Sequence, residues 1–219
     1  MFLAFAAILL GVSLRVQERF PVGEHTWLRY KPGTSIKNKV TVESGGQTRE
    51  GIQTLTLKEI KGDEYLIEEN NTLAPEGSPP VQVRTANSVK SGTETVKIDG
   101  RDYACTIWTA KGSREDGPVE TRFWIPEGKR FPVRIAFKQK DTEGMMEAVS
   151  LDEKVKALDR TITCTKLEGK ITMNGVEGTL TLWHTHELPA SQVRLDLHWK
   201  EKTGETKVRI EALEVKEVK

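Results

Sequence analysis

The sequence predicts an all-β protein, an antiparallel meander forming a curved sheet or half-barrel with an internal repeat of about 59 residues. Three observations carry this. First, Val133, Ile135 and Phe137 alternate with Arg134, Ala136 and Lys138, and Val193, Leu195, Leu197 and Trp199 alternate with Arg194, Asp196, His198 and Lys200. A period of two marks a strand with one buried and one wet face. Second, Asp99-Gly100 and Asn174-Gly175 are dipeptides that accept positive φ at both central residues, as tight hairpins require. Third, the stretch from Cys105 to Gln139 is written again from Cys164 to Trp199.

The repeat holds without gaps over its rarest residues. Val96-Lys97 and Val155-Lys156 are 59 apart, as are Arg101 and Arg160, Cys105-Thr106 and Cys164-Thr165, Lys111 and Lys170, and Trp124 and Trp183. After one inserted residue the spacing becomes 60, pairing Val133-Arg134 with Val193-Arg194, Lys140 with Lys200 and Gly144 with Gly204. A period of this size is that of a repeated supersecondary unit.

Composition narrows the function classes. Among 219 residues, 33 basic and 32 acidic side chains leave a net charge of +1, so no nucleic acid partner is expected. Hydrophobic residues make up 37%, enough for thin β-layers in which alternate residues are buried. Residues 1–19 read as a signal peptide or N-terminal apolar segment: MFLAFAAILLGVSL carries no charge before Arg15, and Gly11-Val12-Ser13 supplies small residues. The run falls short of the ~20 apolar residues of a membrane span. No transmembrane span is expected, and the predicted location is extracytoplasmic, periplasmic or secreted.

The chain divides by composition. Residues 20–71 form an N-terminal β unit with a hairpin of IQTLTLKEI and EYLIEEN around Lys61-Gly62-Asp63. Residues 72–94 hold three prolines and two glycines and read as a loop or linker, with VQVR as a short edge strand inside it. Residues 95–154 are the first β repeat and 155–219 the second. The segment 145–158, MMEAVSLDEKVKAL, has helix propensity, but its counterpart TKVRIEALEV is strand-like, and a strand is predicted.

Few residues point to chemistry. Cys105 and Cys164 read either as one disulfide, which an oxidising compartment permits, or as two buried free thiols. His184-Thr185-His186-Glu187 is the one metal-like cluster. On a strand, i and i+2 share a side, so His184 and His186 could reach one ion, with Glu187 or His198 as third ligand; zinc uses three or four. The other reading is two histidines at a strand end. Trp124 and Trp183 read as core anchors or as aromatic ligand contacts. Nucleophile elbow, phosphate loop and dinucleotide fingerprint are all missing, so no catalytic residue and no cofactor is assigned, and a non-enzyme is favoured.

With Gly23, Trp27 and Tyr30 opening the first unit, and Trp124-Ile125-Pro126 and Trp183 to Pro189 closing later ones, the chain resembles a group of uncharacterised secreted bacterial β-rich proteins with a G-x-x-W opening strand and repeated Cys…Trp units. More distantly it is similar to the periplasmic half-barrel carriers of lipids and lipoproteins. The resemblance implies a fold and no activity. Three functions follow: a non-catalytic protein binding an apolar or amphiphilic ligand or a partner protein on a concave face; a metal-dependent hydrolase centred on His184 and His186; or a structural, envelope-associated protein without a ligand.

Overall fold

The computed structural model describes residues 26–61, 64–84, 88–114, 117–129, 131–201 and 204–218. The apolar segment 1–19, Gly23 and the turn at Gly62-Asp63 lie outside the described residues. A single turn of 3-10 helix, Thr26–Arg29, precedes thirteen strands: β1 (Ser35–Ser44), β2 (Gln47–Lys61), β3 (Glu64–Asn71), β4 (Val81–Arg84), β5 (Ser88–Ile98), β6 (Arg101–Arg114), β7 (Gly117–Pro126), β8 (Arg134–Gln139), β9 (Thr142–Ala157), β10 (Arg160–Met173), β11 (Val176–His184), β12 (Gln192–Glu201) and β13 (Gly204–Lys216). The tight turns follow the residues that tolerate them. Asp99-Gly100 has φ of 48° and 77°, and Asn174-Gly175 has 49° and 77°, the double positive φ that matches the twist of a hairpin.

All thirteen strands form one open, curved antiparallel sheet in the order β4-β3-β2-β1-β13-β12-β11-β10-β9-β8-β7-β6-β5. Neighbours are consecutive in the chain except at one ladder, where β1 pairs β13 from Ser35 opposite Lys216 to Ser44 opposite Thr206. Twelve antiparallel steps separate β4 from β5 across the sheet, so the two edge strands run in the same direction. They are also four residues apart in sequence, Arg84 to Ser88, which limits their separation to about 14 Å at that end. Parallel neighbours need a crossover of about a dozen residues, so β4 and β5 cannot pair side by side over such a link. The sheet curls far enough that β9 approaches both β5 and β13, each four strands away.

The inner face of the curl is filled in two layers along the strand axes. One cluster includes Val40, Phe123, Ile135, Leu167, Leu197 and Ile210. The other includes Trp27, Ile36, Leu55, Ile162, Leu188 and Val193. Each large apolar side chain withdrawn from water contributes roughly 1.5–3 kcal/mol. On β1 the layers are separated by Asn38, which donates through Nδ2 to Gln53 Oε1 at 2.9 Å; Gln53 Nε2 donates to Glu69 Oε1 at 2.7 Å. All three are buried, and the chain of bonds offsets desolvation that each amide would otherwise suffer.

Curvature this tight needs backbone room on the inner face. Across five strands the row Phe137, Gly144, Ile171, Gly178, Trp199 lies in register. The Phe137 ring lies over Gly144, where a Cβ would meet Phe137 Cζ at 2.5 Å, and a Cβ on Gly178 would meet the His198 carbonyl oxygen at 2.8 Å and Trp199 Cβ at 3.0 Å. An aromatic ring covering a cross-strand glycine restores the packing that the missing side chain gives up. In the next row, a Cβ on Gly169 would overlap the Met145 carbonyl on β9.

The segment 145–158 is strand β9, and VQVR is the edge strand β4, as expected. The predicted linker 72–94 is shorter in fact, because β5 already begins at Ser88. Gly169→Ala should lower unfolding stability by about 2–4 kcal/mol, since the rigid backbone carbonyl must move. Gly92→Ala, whose Cβ would make an ordinary 3.6 Å contact with Ile107 Cδ1, should change it by less than about 1 kcal/mol. Urea unfolding of both variants checks the contrast.

Candidate functional site

Each repeat-matched tryptophan is held by the same two partners. The Trp124 indole N–H donates to Glu94 Oε2 at 2.7 Å, and Arg134 stands over its ring at 5.3 Å. The Trp183 indole N–H donates to Glu153 Oε1 at 2.7 Å, with Arg194 over its ring at 4.7 Å and Lys166 at 5.5 Å. Glu94 and Glu153 are also 59 apart, and β6 and β10 begin and end at that spacing. Arg134 further pairs with Glu94 Oε1 at 2.5 Å and Glu147 Oε1 at 2.6 Å. The indole hydrogen bond, then Arg134, holds the Glu94 carboxyl below its usual range. Burial alone would raise the Asp196 carboxyl, but hydrogen bonds from Arg194 and Arg209 outweigh it and hold it low. Both indole donors are engaged and both rings lie under cations.

The cysteines are two buried free thiols. A disulfide between Cys105 and Cys164 is not formed: they lie on β6 and β10, which are not neighbours, and belong to different core clusters. A bridge needs Cα atoms within about 7 Å. Burial raises the Cys105 thiol and pushes Cys164 up to about 12, with the nearby Glu187 and Glu153 charges adding to it. Neither is a thiolate at neutral pH, so neither is an activated nucleophile.

His184 ends β11 with its ring edge-on to His186, centroids 5.3 Å apart, and His186 lies 5.7 Å from Phe131. Glu187 is exposed and turned to Arg160 at 3.4 Å. His198 is on the exposed side of β12, paired with Glu205. Among the described residues no three of His, Cys, Asp and Glu stand close enough to hold one metal ion. The two imidazoles therefore come together without either expected third ligand. His184 is 2% exposed, and neither of its ring nitrogens has a hydrogen-bond partner. Burial, then the neighbouring His186, drives its pKa down to about 3.

The loop after β11 is covered by the turn Thr26–Arg29. Thr26 Oγ1 donates to the Pro189 carbonyl at 2.7 Å and shares a 2.7 Å hydrogen bond with Ser191 Oγ. Arg29 Nη1 reaches the His186 carbonyl at 3.4 Å. Trp27 is fully buried in the cluster that holds Leu188, Ala190 and Cys164.

The corresponding loop after β7 instead borders an open groove of about 710 Å³. Its walls include Thr93 and Glu94 of edge strand β5, Cys105 and Trp108 of β6, and Ile125 and Glu127 at the end of β7. The Trp108 indole N–H is buried without an acceptor. Neither Trp108, Glu94 nor the groove stood out in the sequence. Glu94 and Glu153 carried a usable signal, sharing the spacing of the two tryptophans. The groove carried none, because it depends on where the sheet ends.

No protein-family model matches the chain, and no curated protein matches it. Solved structures that align with the chain include three. One is a protein described as exported, with a YmcC-like fold, from Bacteroides fragilis: 11% identity, TM-score 0.45, covering 86% of this chain and 97% of that one. Another is an outer membrane lipoprotein-sorting protein domain from Vibrio parahaemolyticus: 9% identity, TM-score 0.42, covering 88% of each. The third is a DUF1329 family protein from Desulfovibrio piger: 8% identity, TM-score 0.38, covering 85% and 86%. Among the described residues, no helix is long and apolar enough to cross a membrane.

Two outcomes follow from this geometry. Arg134, whose side chain is 18% exposed between two carboxylates and an indole, should cost about 2 kcal/mol on change to alanine. Lys37→Ala, which breaks an exposed pair with Glu214, should cost under about 1 kcal/mol. Chemical denaturation compares them. For His184, the folded pKa of about 3 lies below the ordinary histidine value of 6.5, so the unfolded chain binds the extra proton. Its contribution is whole above pH 6.5 and is lost as the pH falls toward 3, at a slope approaching about 1.4 kcal/mol per pH unit. His184→Leu should flatten the acid limb of stability against pH by that amount.

Proposed function

We propose that this protein is a non-catalytic binding protein whose groove beside edge strand β5 receives the apolar part of a ligand or of a partner protein. The observation that carries the reading is the groove itself: about 710 Å³, with Trp108, Ile125 and Cys105 in its walls, within the size range of ligand sites. The inner face of the curl, where a concave site was expected, is occupied by the core side chains of both clusters. Among the described residues, an open space lies at the sheet's free edge. Chemistry is not called for by the residues around it: the nearest thiol is held protonated, and Glu94 is engaged by an indole and a guanidinium. The same reading takes the apolar stretch within residues 1–19 as an export signal and the site of action as extracytoplasmic.

The test is binding of an environment-sensitive apolar fluorophore, N-phenyl-1-naphthylamine. Ala104 is exposed and lines the groove, so Ala104→Trp should fill it on a strand position that tolerates a large ring. Saturable fluorescence that Ala104→Trp lowers at least tenfold in affinity supports the reading. Fluorescence that does not saturate, or is unchanged by the substitution, rejects it.

A further inference from the structure

The loops that follow β7 and β11 differ in one respect that points to a partner. The loop after β11 is capped by Thr26–Arg29: hydroxyl to the loop backbone at Pro189, Trp27 into the apolar cluster beneath, and guanidinium to the carbonyl of His186. Residue for residue at a spacing of 59, His184 to Leu188 corresponds to Ile125 to Lys129, and all five of the latter border the open groove. The frame behind each loop is the same, Glu94-Trp124-Arg134 in one case and Glu153-Trp183-Arg194 in the other.

We infer that the groove is the docking site for a short turn of a partner protein that presents an aromatic side chain followed closely by a basic one, in the manner of Thr26–Arg29. The inference rests on the binding reading above and names the class of partner. The chain itself holds the precedent, because the loop 59 residues further on receives such a turn. Of charged side chains, the groove wall carries Glu94 and Glu127 against Lys129. Glu127 is exposed on the groove at the position matching His186, whose carbonyl meets Arg29, so the partner's cation meets a carboxylate as well as the loop backbone. An aromatic anchor in a pocket with a charged rim is the usual distribution of energy at a small interface.

The probe is a fluorescein-labelled synthetic peptide with the sequence of residues 24–32, EHTWLRYKP, titrated into the full chain and read by anisotropy. The expected result is saturable binding, weakened at least tenfold when the peptide's tryptophan is replaced by alanine. Protein Ala104→Trp should abolish it. Glu127→Lys, an exposed change that leaves the groove's volume alone, should weaken it several-fold and make it less sensitive to salt. NMR shifts on binding should fall at Ile125 and Thr106. Shifts at Leu188 and Ala190 instead would mean that the peptide exchanges with the chain's own turn, and would overturn the inference. So would an affinity indifferent to Glu127→Lys or to loss of the peptide's tryptophan. Absence of peptide binding in a protein that still takes up N-phenyl-1-naphthylamine overturns the aromatic-turn partner and leaves the broader binding reading intact.

Discussion

The pairing of β1 with β13 is the constraint on which the rest of this molecule depends. It joins ten residues at each end of the described chain in one antiparallel ladder. Because that ladder is antiparallel, the count of reversals around the sheet forces β4 and β5 to run in the same direction. Consecutive strands with the same direction and a short link cannot close as a hairpin. The sheet is therefore left with an edge at β5, and the groove lies along that edge. The candidate site is a by-product of strand parity, set at an edge that the ladder itself does not touch.

The inner face explains why the site is at the edge and not inside. A sheet of this many strands could enclose a cavity. Here the glycines at 144, 169 and 178 let neighbouring backbones and rings come close, and each apolar layer draws side chains from strands on both sides of the curl. The buried line of Asn38, Gln53 and Glu69 then fixes where one layer ends and the next begins. Buried polar chains of this kind specify register more than they add stability.

Local features were legible in the sequence and non-local ones were not. Alternation at 193–199, the Asp-Gly and Asn-Gly turns and the strand at 145–158 are set by periods and dihedral preferences within a few residues, and each is where it was expected. The matched tryptophans could be read as framework because their spacing equals that of the cysteines. The bridge between Cys105 and Cys164 could not be decided, since spacing along the chain does not report distance across a sheet. Likewise His184 and His186 do meet, although only His184 lies on the strand. Whether Glu187 joins them depends on a loop whose direction is set by Thr26 and Arg29, more than 150 residues away. The short edge strand was visible as VQVR, but its partner edge at Ser88 was hidden in a stretch rich in small polar residues.

The single non-local ladder also sets an order of events for a chain made from its N-terminus. Every strand pairs with the strand just before or just after it in the chain, so β1 to β4 can form hairpins as soon as they are synthesised. The outer edge of β1 cannot be covered until β13, more than 160 residues later, has emerged. Through that interval a ten-residue strand offers unpaired backbone groups, the situation in which nascent β proteins are most open to mispairing. Lys37 and Lys39 on β1 put positive charge on that waiting edge, and charged side chains on an edge strand discourage pairing with the wrong chain.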